Sequence, residues 1–369
     1  MFLSPAARSV ASGLTLALAA SCASPGASPA AQWLPVDAAR LEAGSIGWES
    51  SLRGLAAVSR EIAWATGSGA TVALTTDGGT TWDQVAPPSI DGLDVRDVHA
   101  LDAERAWIMT AGPGEASRIL YTDDGGAHWI EQRRETDELS FLDGFDFWDE
   151  KRGIAYGDPL GDGRFRILVT VDGGATWAPG ATGPLALESG EAAFAASGTG
   201  IRALGSQDAA FVTGASDARA RLWSTSDFCA TWEVVDLPMP APKPSAGAFS
   251  AAWHRSGAGV VVGGDFLARE TGGAQNAAWT EDHGATWHQP AVGPRGQRAG
   301  STCVPAGGGE GTNFLATGQT GTDISIDGGR TWSPFSEMGF HCVESSSVDG
   351  TVWFAGPGGK VARLVRLAE

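Results

Sequence analysis

The feature that most constrains the fold of this chain is an octet ending in tryptophan that occurs six times. The copies are TTDGGTTW (75–82), TDDGGAHW (122–129), TVDGGATW (170–177), TSDFCATW (225–232), TEDHGATW (280–287) and SIDGGRTW (325–332). Their final tryptophans are spaced by 47, 48, 55, 55 and 45 residues. A period of about fifty residues with four short strand-like segments per unit is typical of a β-propeller blade. We therefore predict an all-β propeller in which each octet joins the third and fourth strands of a blade.

The residue types in the octet explain why it forms a turn. Its aspartate can accept hydrogen bonds from nearby backbone N–H groups, and the glycine two positions later supplies a positive φ. The tryptophan offers a large apolar face to the neighbouring sheet. TSDFCATW has Cys229 in place of that glycine, so we predict that this turn is the most strained of the six. The structural aspartates and tryptophans are Asp77, Trp82, Asp124, Trp129, Asp172, Trp177, Asp227, Trp232, Asp282, Trp287, Asp327 and Trp332.

The segments outside the octets indicate seven blades. After Trp332 come FHCVESSS, TVWFAGPG and KVARLVRL, three strand-like segments without a fourth. Before the first octet, AQWLPVDA contains an unpaired strand in which Trp33 stands where an octet tryptophan would. We predict that residues 32–37 complete the last blade, so that a propeller spans 32–369 and no sheet edge is left free.

These residues resemble two known groups of proteins. The octets resemble the Asp-box, or BNR, repeat of bacterial sialidases and of many propellers without enzymatic activity. The stretch GLAAVSREIAWATGSGATVALTTDGGTTW (54–82) resembles the opening blade of the photosystem II stability/assembly factor family, in its bacterial, non-photosynthetic branch, and the resemblance extends from about residue 45 to the C-terminus. It implies a seven-bladed assembly or scaffold protein with no known chemistry. It does not imply that this chain binds a photosystem.

The first thirty residues differ in composition from the rest and predict export. Arg8 is the only basic side chain before the apolar run VASGLTLALAAS, which is too short to cross a membrane. AASC resembles the cleavage box of a bacterial lipoprotein, in which Cys22 is lipidated, although Ala19 stands where leucine is usual. We expect a signal peptide over 1–22, a flexible tether over 23–31 and a lipid anchor at the periplasmic face or cell envelope. Cleavage near ASPA with free secretion is the alternative.

The charge of the chain narrows the choice of partners. The formal net charge is −18, with 43 acidic and 25 basic residues, which argues against nucleic acid as a partner. We expect a monomer that binds a protein partner or a polar ligand, with membrane contact only through the N-terminal lipid. Neither a cofactor nor a metal is expected, because no cysteine or histidine spacing suggests a zinc site.

The predicted binding site lies on the face opposite the octets. The innermost strand of a blade begins on that face, and long polar loops project there, above all GGDFLARETGGAQNAA (263–278). The starts of the seven innermost strands align as LRGL, RDVH, LDGF, AAFA, AGAF, RAGS and FHCV. Five of them carry a titratable residue at the channel mouth: Arg53, Asp97, Asp143, Arg298 and His341. Either these residues bind a ligand or partner, or the arginines pair with the aspartates as a structural ring.

Two more aspartates and three cysteines complete the candidates. Asp158 and Asp265 each follow a glycine at the end of a second strand, so both are predicted at the rim, as binding residues or as turn residues. Cys303 and Cys342 occupy similar places on the innermost strands of adjacent blades. A disulfide would join them if their Cα atoms lay within about 7 Å. Cys229 is then the free thiol.

An enzymatic function is the alternative, and the sequence gives it little support. A sialidase needs a late tyrosine nucleophile, whereas the two tyrosines, Tyr121 and Tyr156, lie in the first half of the chain. FRIL (165–168) lacks the proline of the sialidase Phe/Tyr-Arg-Ile-Pro motif and runs into the third octet, so we interpret it as strand packing. We predict a non-enzymatic binding scaffold. A carbohydrate-active propeller that uses Asp158 and Asp265 is the competing hypothesis.

Overall fold

Seven antiparallel sheets follow one another along the chain and form a closed ring. The computed structural model describes residues 39–181, 187–215, 218–304 and 312–366, and these contain 27 strands. Each blade is a meander whose first strand contacts the first strands of its two neighbours, so these strands line a central channel. The predicted seven-bladed propeller is confirmed.

The strands are numbered in chain order, and β1 (Ala39–Ser45) is the outermost strand of the seventh blade. From the channel outwards, the first three blades are β2 (Leu52–Ala57), β3 (Ala63–Gly67), β4 (Thr71–Thr75), β5 (Asp83–Gln84); β6 (Asp94–Ala100), β7 (Ala106–Ala111), β8 (Arg118–Thr122), β9 (Ile130–Arg134); and β10 (Leu142–Phe147), β11 (Gly153–Pro159), β12 (Phe165–Thr170), β13 (Ala178–Pro179). The next two are β14 (Ile201–Leu204), β15 (Asp208–Val212), β16 (Arg219–Thr225), β17 (Glu233–Pro240); and β18 (Ala246–Trp253), β19 (Gly259–Asp265), β20 (Ala277–Thr280). The last two are β21 (Gly300–Val304), β22 (Asn313–Gly318), β23 (Gly321–Ser325), β24 (Ser333–Ser336); and β25 (Cys342–Ser345), β26 (Val352–Ala355), β27 (Lys360–Arg366).

The helices of the described residues are short 3₁₀ turns in the connections between strands. They are Pro88–Ile90, Gly114–Ala116, Ala274–Asn276 and Pro357–Gly359. Within the same residues, no helix has the length and apolar character needed to cross a membrane.

An N-terminal strand closes the ring, as predicted, but not at the predicted residues. β1 pairs with β27, from Ala39 opposite Arg366 to Ser45 opposite Lys360. The strand that completes the seventh blade is therefore 39–45, and the predicted segment 32–37 lies outside the described residues. The prediction relied on the apolar side chain of Trp33. Within β1, Leu41 is buried between the sixth and seventh blades.

The hydrophobic core is divided among the blade interfaces. The described residues form seven buried clusters, one between each pair of neighbouring blades. Octet tryptophans contribute to these clusters: the Trp82 ring meets that of Trp353 edge to face at 5.9 Å, joining the first blade to the seventh. Sheet faces packed in this way give the ring its stability, because apolar burial is the main favourable term in folding.

Each octet joins the third and fourth positions of its blade and forms the predicted turn. In the first copy, Asp77 accepts hydrogen bonds from the backbone N–H and the hydroxyl of Thr81, at 2.9 and 2.7 Å. Thr75 Oγ1 accepts the N–H of Gly79 at 2.9 Å. The fourth copy has two non-glycine residues at positive φ, Phe228 at 56° and Cys229 at 64°. The prediction of strain at that turn agrees with this backbone.

Candidate functional site

Four innermost strands carry an unpaired residue at the same place near the channel mouth. The pairing register shifts by one residue there, so Arg53, Arg96, Asp143 and Phe249 have no partner on the second strand. Such bulges re-aim a side chain without ending the strand. They turn three of these side chains, Arg53, Arg96 and Phe249, into the mouth on the face opposite the octets.

The predicted placement of Asp97 at this mouth is wrong by one residue. Arg96, not Asp97, is the counterpart of Arg53, and a slip of one position turns a side chain to the other face of a strand. Asp97 is 3% exposed and accepts the backbone N–H groups of Val98 and Phe145 at 2.8 and 2.9 Å. Burial raises the pKa of Asp97 well above its ordinary value. Asp97 therefore joins the second and third blades rather than facing a ligand.

The fourth innermost strand does not begin at AAFA, as predicted, but at Ile201. Residues 193–200, here called the plug segment, cross the channel instead. Ser197 donates a hydrogen bond to the carbonyl oxygen of Ala299 in the sixth blade, at 2.7 Å, and Thr199 Oγ1 lies 2.6 Å from Ser250 Oγ in the fifth. The channel is thus filled directly beneath the mouth.

A glycine makes the path of the plug segment possible. Gly198 has a positive φ of 71°, and a Cβ atom built on it would lie 2.3 Å from Asp97 Oδ1. Any larger residue would clash with the second blade at this close approach.

The mouth above the plug segment holds a cavity of about 220 Å³. Its lining combines arginines, amides, one histidine and an apolar wall, and consists of Arg53, Arg96, Phe194, Ala195, Ala196, Phe249, Phe266, Arg269, Gln297, Ala299, Gln319 and His341. None of these lining residues is acidic, although the chain as a whole carries a formal charge of −18. We call this cavity the arginine mouth.

The three arginines of the mouth are incompletely neutralised. Arg96 forms an ion pair with Asp94 at 2.9 Å and donates to the carbonyl oxygen of Ala195 at 3.0 Å. Within the described part of the chain, the guanidinium groups of Arg53 and Arg269 have neither an ion-pair partner nor a hydrogen-bond acceptor. Burial, and next the charge of Arg96, lower the pKa of Arg53. The mouth therefore carries an excess of positive charge.

His341 lies at the mouth, as predicted, but is held neutral. Its Nδ1 atom lies 2.9 Å from the carbonyl oxygen of Leu52, and its Nε2 atom lies 2.8 Å from the amide nitrogen of Gln319. Nδ1 therefore donates and Nε2 accepts, which leaves one proton on the ring. Burial, and next the charge of Arg53, lower the pKa of His341 to about 4. The imidazole orients the wall of the mouth without adding charge at neutral pH.

Two other predicted residues do not line the mouth. Arg298 and Asp323 are both 0% exposed and form an ion pair at 2.5 Å, so the prediction that Arg298 faces a ligand is wrong. The hypothesis that Arg298 pairs with Asp97 or Asp143 is wrong for the same reason. Asp143 is 3% exposed, and burial, followed by the charge of Asp158, raises the pKa of Asp143 well above its ordinary value.

Each of the two rim aspartates accepts a backbone hydrogen bond, one long-range and one local. Asp158 accepts the N–H of Ala193 at 3.0 Å and so fixes the start of the plug segment; burial raises the pKa of Asp158. Asp265 pairs with Lys243 at 2.9 Å and accepts the N–H of Leu267 at 2.9 Å. The contact with Leu267 agrees with the turn interpretation for Asp265, whereas Asp158 makes a long-range contact instead of a turn. Neither aspartate lines the arginine mouth.

The possible disulfide between Cys303 and Cys342 does not form, because both are free thiols, as is Cys229. A Cβ atom on Gly300 would lie 3.3 Å from the Cα of Cys342, so Gly300 is the residue that faces Cys342 across the blade interface. Cys303 is three residues farther along its strand, roughly 10 Å away at the rise of an extended chain. That exceeds the span of a disulfide.

The opposite mouth of the channel, on the octet face, is polar but its charges are paired. Arg202 of the fourth blade forms a two-pronged ion pair with Glu344 of the seventh, at 3.2 and 3.0 Å. Asp146 accepts the N–H of Ala203 and pairs with His99 at 3.3 Å. Among the described residues, no group of three or more histidines, cysteines or carboxylates is arranged to hold a metal ion. Compared with the arginine mouth, this mouth therefore has less unpaired charge with which to bind a ligand.

Sequence reasoning missed most of the mouth. Arg96 is adjacent to Asp97 in the sequence, and Arg269 lies within the long loop 263–278. Aligning VRDV (95–98) with LRGL (52–55), which matches apolar residues at the first and fourth positions, would have placed Arg96 opposite Arg53. The phenylalanines of the apolar wall come from three separate segments, so no spacing in the sequence connects them.

Comparisons with known proteins agree with the fold. No family model and no curated protein sequence matches the chain. The solved structure of YCF48 bound to D1 peptide is similar with a TM-score of 0.59 and 15% identity, covering 92% of this chain and 97% of that one. YCF48 from Cyanidioschyzon merolae has a TM-score of 0.61 and 13% identity, covering 88% and 98%. An ancestral GH74 enzyme has a TM-score of 0.60 and 12% identity, covering 85% of this chain and 44% of that one. The chain therefore has a seven-bladed propeller fold similar to that of YCF48 proteins.

Proposed function

We propose that this protein is a non-enzymatic scaffold that binds a carboxylate-bearing segment of a protein partner at the arginine mouth. The observation that carries the proposal is the charge of that cavity. Three guanidinium groups face a space without an acidic lining residue, in a chain whose formal charge is −18. A binding site of opposite sign to the rest of the protein selects an anionic group over the bulk of the surface.

The chemistry of arginine favours a carboxylate in this position. Its planar guanidinium offers paired donors that match the two oxygens of a carboxylate. Arg53 is half-buried, and among the described residues it has no acceptor for these donors. Burying an unpaired charge is costly, so an anion that reaches Arg53 and Arg269 would gain interactions that the free protein lacks.

A protein partner is supported by the structural neighbour that is bound to D1 peptide. That YCF48 shows that a propeller of this fold can hold a peptide, and the likeness extends over 92% of this chain. In this proposal the six octets, which resemble Asp-box turns, stabilise the packing of the blades. The partner would be met at the cell envelope if Cys22 is the lipidated N-terminus. Cleavage near ASPA would instead release the scaffold.

A carbohydrate-active propeller remains the second candidate, because one structural neighbour is a GH74 enzyme. It would use carboxylates at the rim, such as Asp158 and Asp265. Glycoside hydrolysis needs one carboxylic acid and one carboxylate facing a shared sugar. Asp158 instead holds Ala193, and Asp265 is paired with Lys243. We therefore favour binding without chemistry.

Partner capture from the native envelope tests the proposal. The double variant Arg53→Gln/Arg269→Gln removes two charges of the mouth, and we expect it to lose the partner that the unchanged protein retains. Arg60→Gln is the control. Arg60 is exposed and lies on the octet face, because the N–H of Gly78 in the first octet donates a hydrogen bond to the carbonyl oxygen of the neighbouring Glu61. Equal capture by all three proteins would contradict the proposed site. Glycan hydrolysis that is lost on Asp265→Ala would favour the second candidate.

A further inference from the structure

The arginine mouth has a second chemical character beside its charge. One wall consists of Phe194, Phe249 and Phe266, here called the phenylalanine shelf. The rings of Phe194 and Phe249 lie 4.4 Å apart at 30°, and the ring of Phe266 meets both edge to face, at 6.4 and 6.3 Å. Phe266 remains 36% exposed. The shelf is thus a packed aromatic surface that is open at one end.

The backbone holds the shelf in place. Phe249 is the bulge residue of the fifth blade and so occupies the position that Arg53 and Arg96 occupy in the first and second. Phe194 reaches it from the plug segment and packs over two glycines: a Cβ atom on Gly214 or Gly247 would lie 3.0 Å from the Phe194 ring. Charge and apolar surface therefore share one rim.

The geometry points to a partner segment that presents an aromatic side chain beside a carboxylate. This inference rests on the proposed function and adds the class of residue that the site selects. The carboxylate would meet Arg53 and Arg269, and the ring would stack on the shelf. A cavity of about 220 Å³ has room for both groups, since roughly 150 Å³ already holds a benzene ring.

A polypeptide explains the surface outside the cavity better than a small acid does. Leu267 follows Phe266 directly in the loop and is 78% exposed, so a second apolar side chain next to the shelf residue Phe266 is available to a partner. A free aromatic acid would fill the cavity and leave Leu267 in water. A chain that continues past its aromatic residue would cover it.

Short capped peptides test the inference by isothermal titration. The probe is acetyl-Gly-Asp-Phe-Gly-amide, with Asn-for-Asp and Ala-for-Phe versions as controls, and N-acetyl-phenylalanine as the small-acid control. We expect each control peptide to bind at least about tenfold more weakly than the probe, since a buried ring and a charged hydrogen bond each contribute that much. Phe266→Ala should abolish the preference for Phe over Ala, and because Phe266 lies in an exposed loop this variant should fold. Phe194→Leu should retain only part of that preference.

The outcomes separate this inference from the proposed function. If the Phe and Ala peptides bind equally and both are lost with Arg53→Gln, the arginine mouth stands and the aromatic selectivity is overturned. If N-acetyl-phenylalanine binds as tightly as the probe, the commitment to a polypeptide is overturned. If no probe binds, the inference fails, and capture of the envelope partner decides the proposed function separately.

Discussion

The guanidinium of Arg298 and the carboxylate of Asp323 form an ion pair from which solvent is excluded, with Nη2 and Oδ2 2.5 Å apart and both side chains 0% exposed. The substitution Arg298→Met would leave the buried carboxylate of Asp323 without this arginine partner. We therefore expect the free energy of unfolding to fall by about 3 kcal/mol. Urea denaturation measures it. Arg53→Gln is the contrast, because Arg53 has no partner to lose among the described residues, and we expect a change within about 0.5 kcal/mol. Equal losses for the two variants would mean that Arg53 is structural as well.

The octets provide a matched pair of backbone substitutions. His283 and Gly328 occupy the same octet position, with φ of 62° and 77°. His283→Gly should raise the free energy of unfolding by about 0.5–1 kcal/mol, because a left-handed conformation is costly for any residue with a Cβ. Gly328→Ala should lower it by a similar amount. Thermal or urea unfolding of the two variants measures the sign of each change in the free energy of unfolding. Changes of the same sign in both variants would contradict the turn geometry.

Stability should depend on pH through His341. Its pKa is about 4 in the folded protein, below the ordinary value of 6.5, so the unfolded chain binds more protons between these pH values. The contribution of His341 to stability therefore falls as pH drops from about 6.5 to about 4 and is constant below that. The shift corresponds to a loss of about 3 kcal/mol. The difference between the unfolding free energies of the wild type and His341→Asn, followed from pH 7 to pH 4, isolates this group. A difference that does not change with pH would show that His341 titrates normally.

The three cysteines of the described residues should be unreactive in the native protein. Burial raises the pKa of Cys229 and of Cys303 to about 12, and raises that of Cys342 well above its ordinary value. A thiol reacts as its thiolate, so alkylation should be slow until the protein is unfolded. Mass spectrometry should then find Cys229, Cys303 and Cys342 all alkylated in denaturant without a reducing agent. Recovery of a linked Cys303–Cys342 peptide would restore the disulfide that the structure excludes.

The sequence was sufficient for the propeller because the octet is a local device. Asp77, Thr75 and Gly79 bond within one turn, so their types and spacing reveal the turn wherever it recurs. The blade count followed from the same repeat. That an N-terminal strand closes the ring could be predicted, but the strand lies at 39–45 and not at 32–37. Its position depends on its pairing with β27, which a single tryptophan does not reveal.

The mouth was predictable only in part, because its geometry depends on register and on long-range contacts. Arg53 and His341 were placed correctly by alignment of the strand starts. The alignment of the second strand start was off by one residue, so Asp97 was placed at the position that Arg96 occupies. The partner of Arg298 is Asp323, on a strand 25 residues farther along the chain. The plug segment departs from the repeat. An alignment based on the repeat therefore assigns AAFA, which belongs to the plug segment, to the first strand of the fourth blade.

Site-specific photo-crosslinking in the native envelope tests the central claim most directly. A photoreactive phenylalanine analogue at position 266 reports contacts at the arginine mouth, and the same analogue at position 326, where Ile326 is 60% exposed on an octet, reports contacts on the opposite face. We predict a crosslinked partner peptide that contains an acidic residue from position 266 alone, and its loss in the Arg53→Gln/Arg269→Gln background. Crosslinks from position 326 only, or a product at position 266 that persists without the two arginines, would contradict the proposal that this protein binds its partner through the arginine mouth.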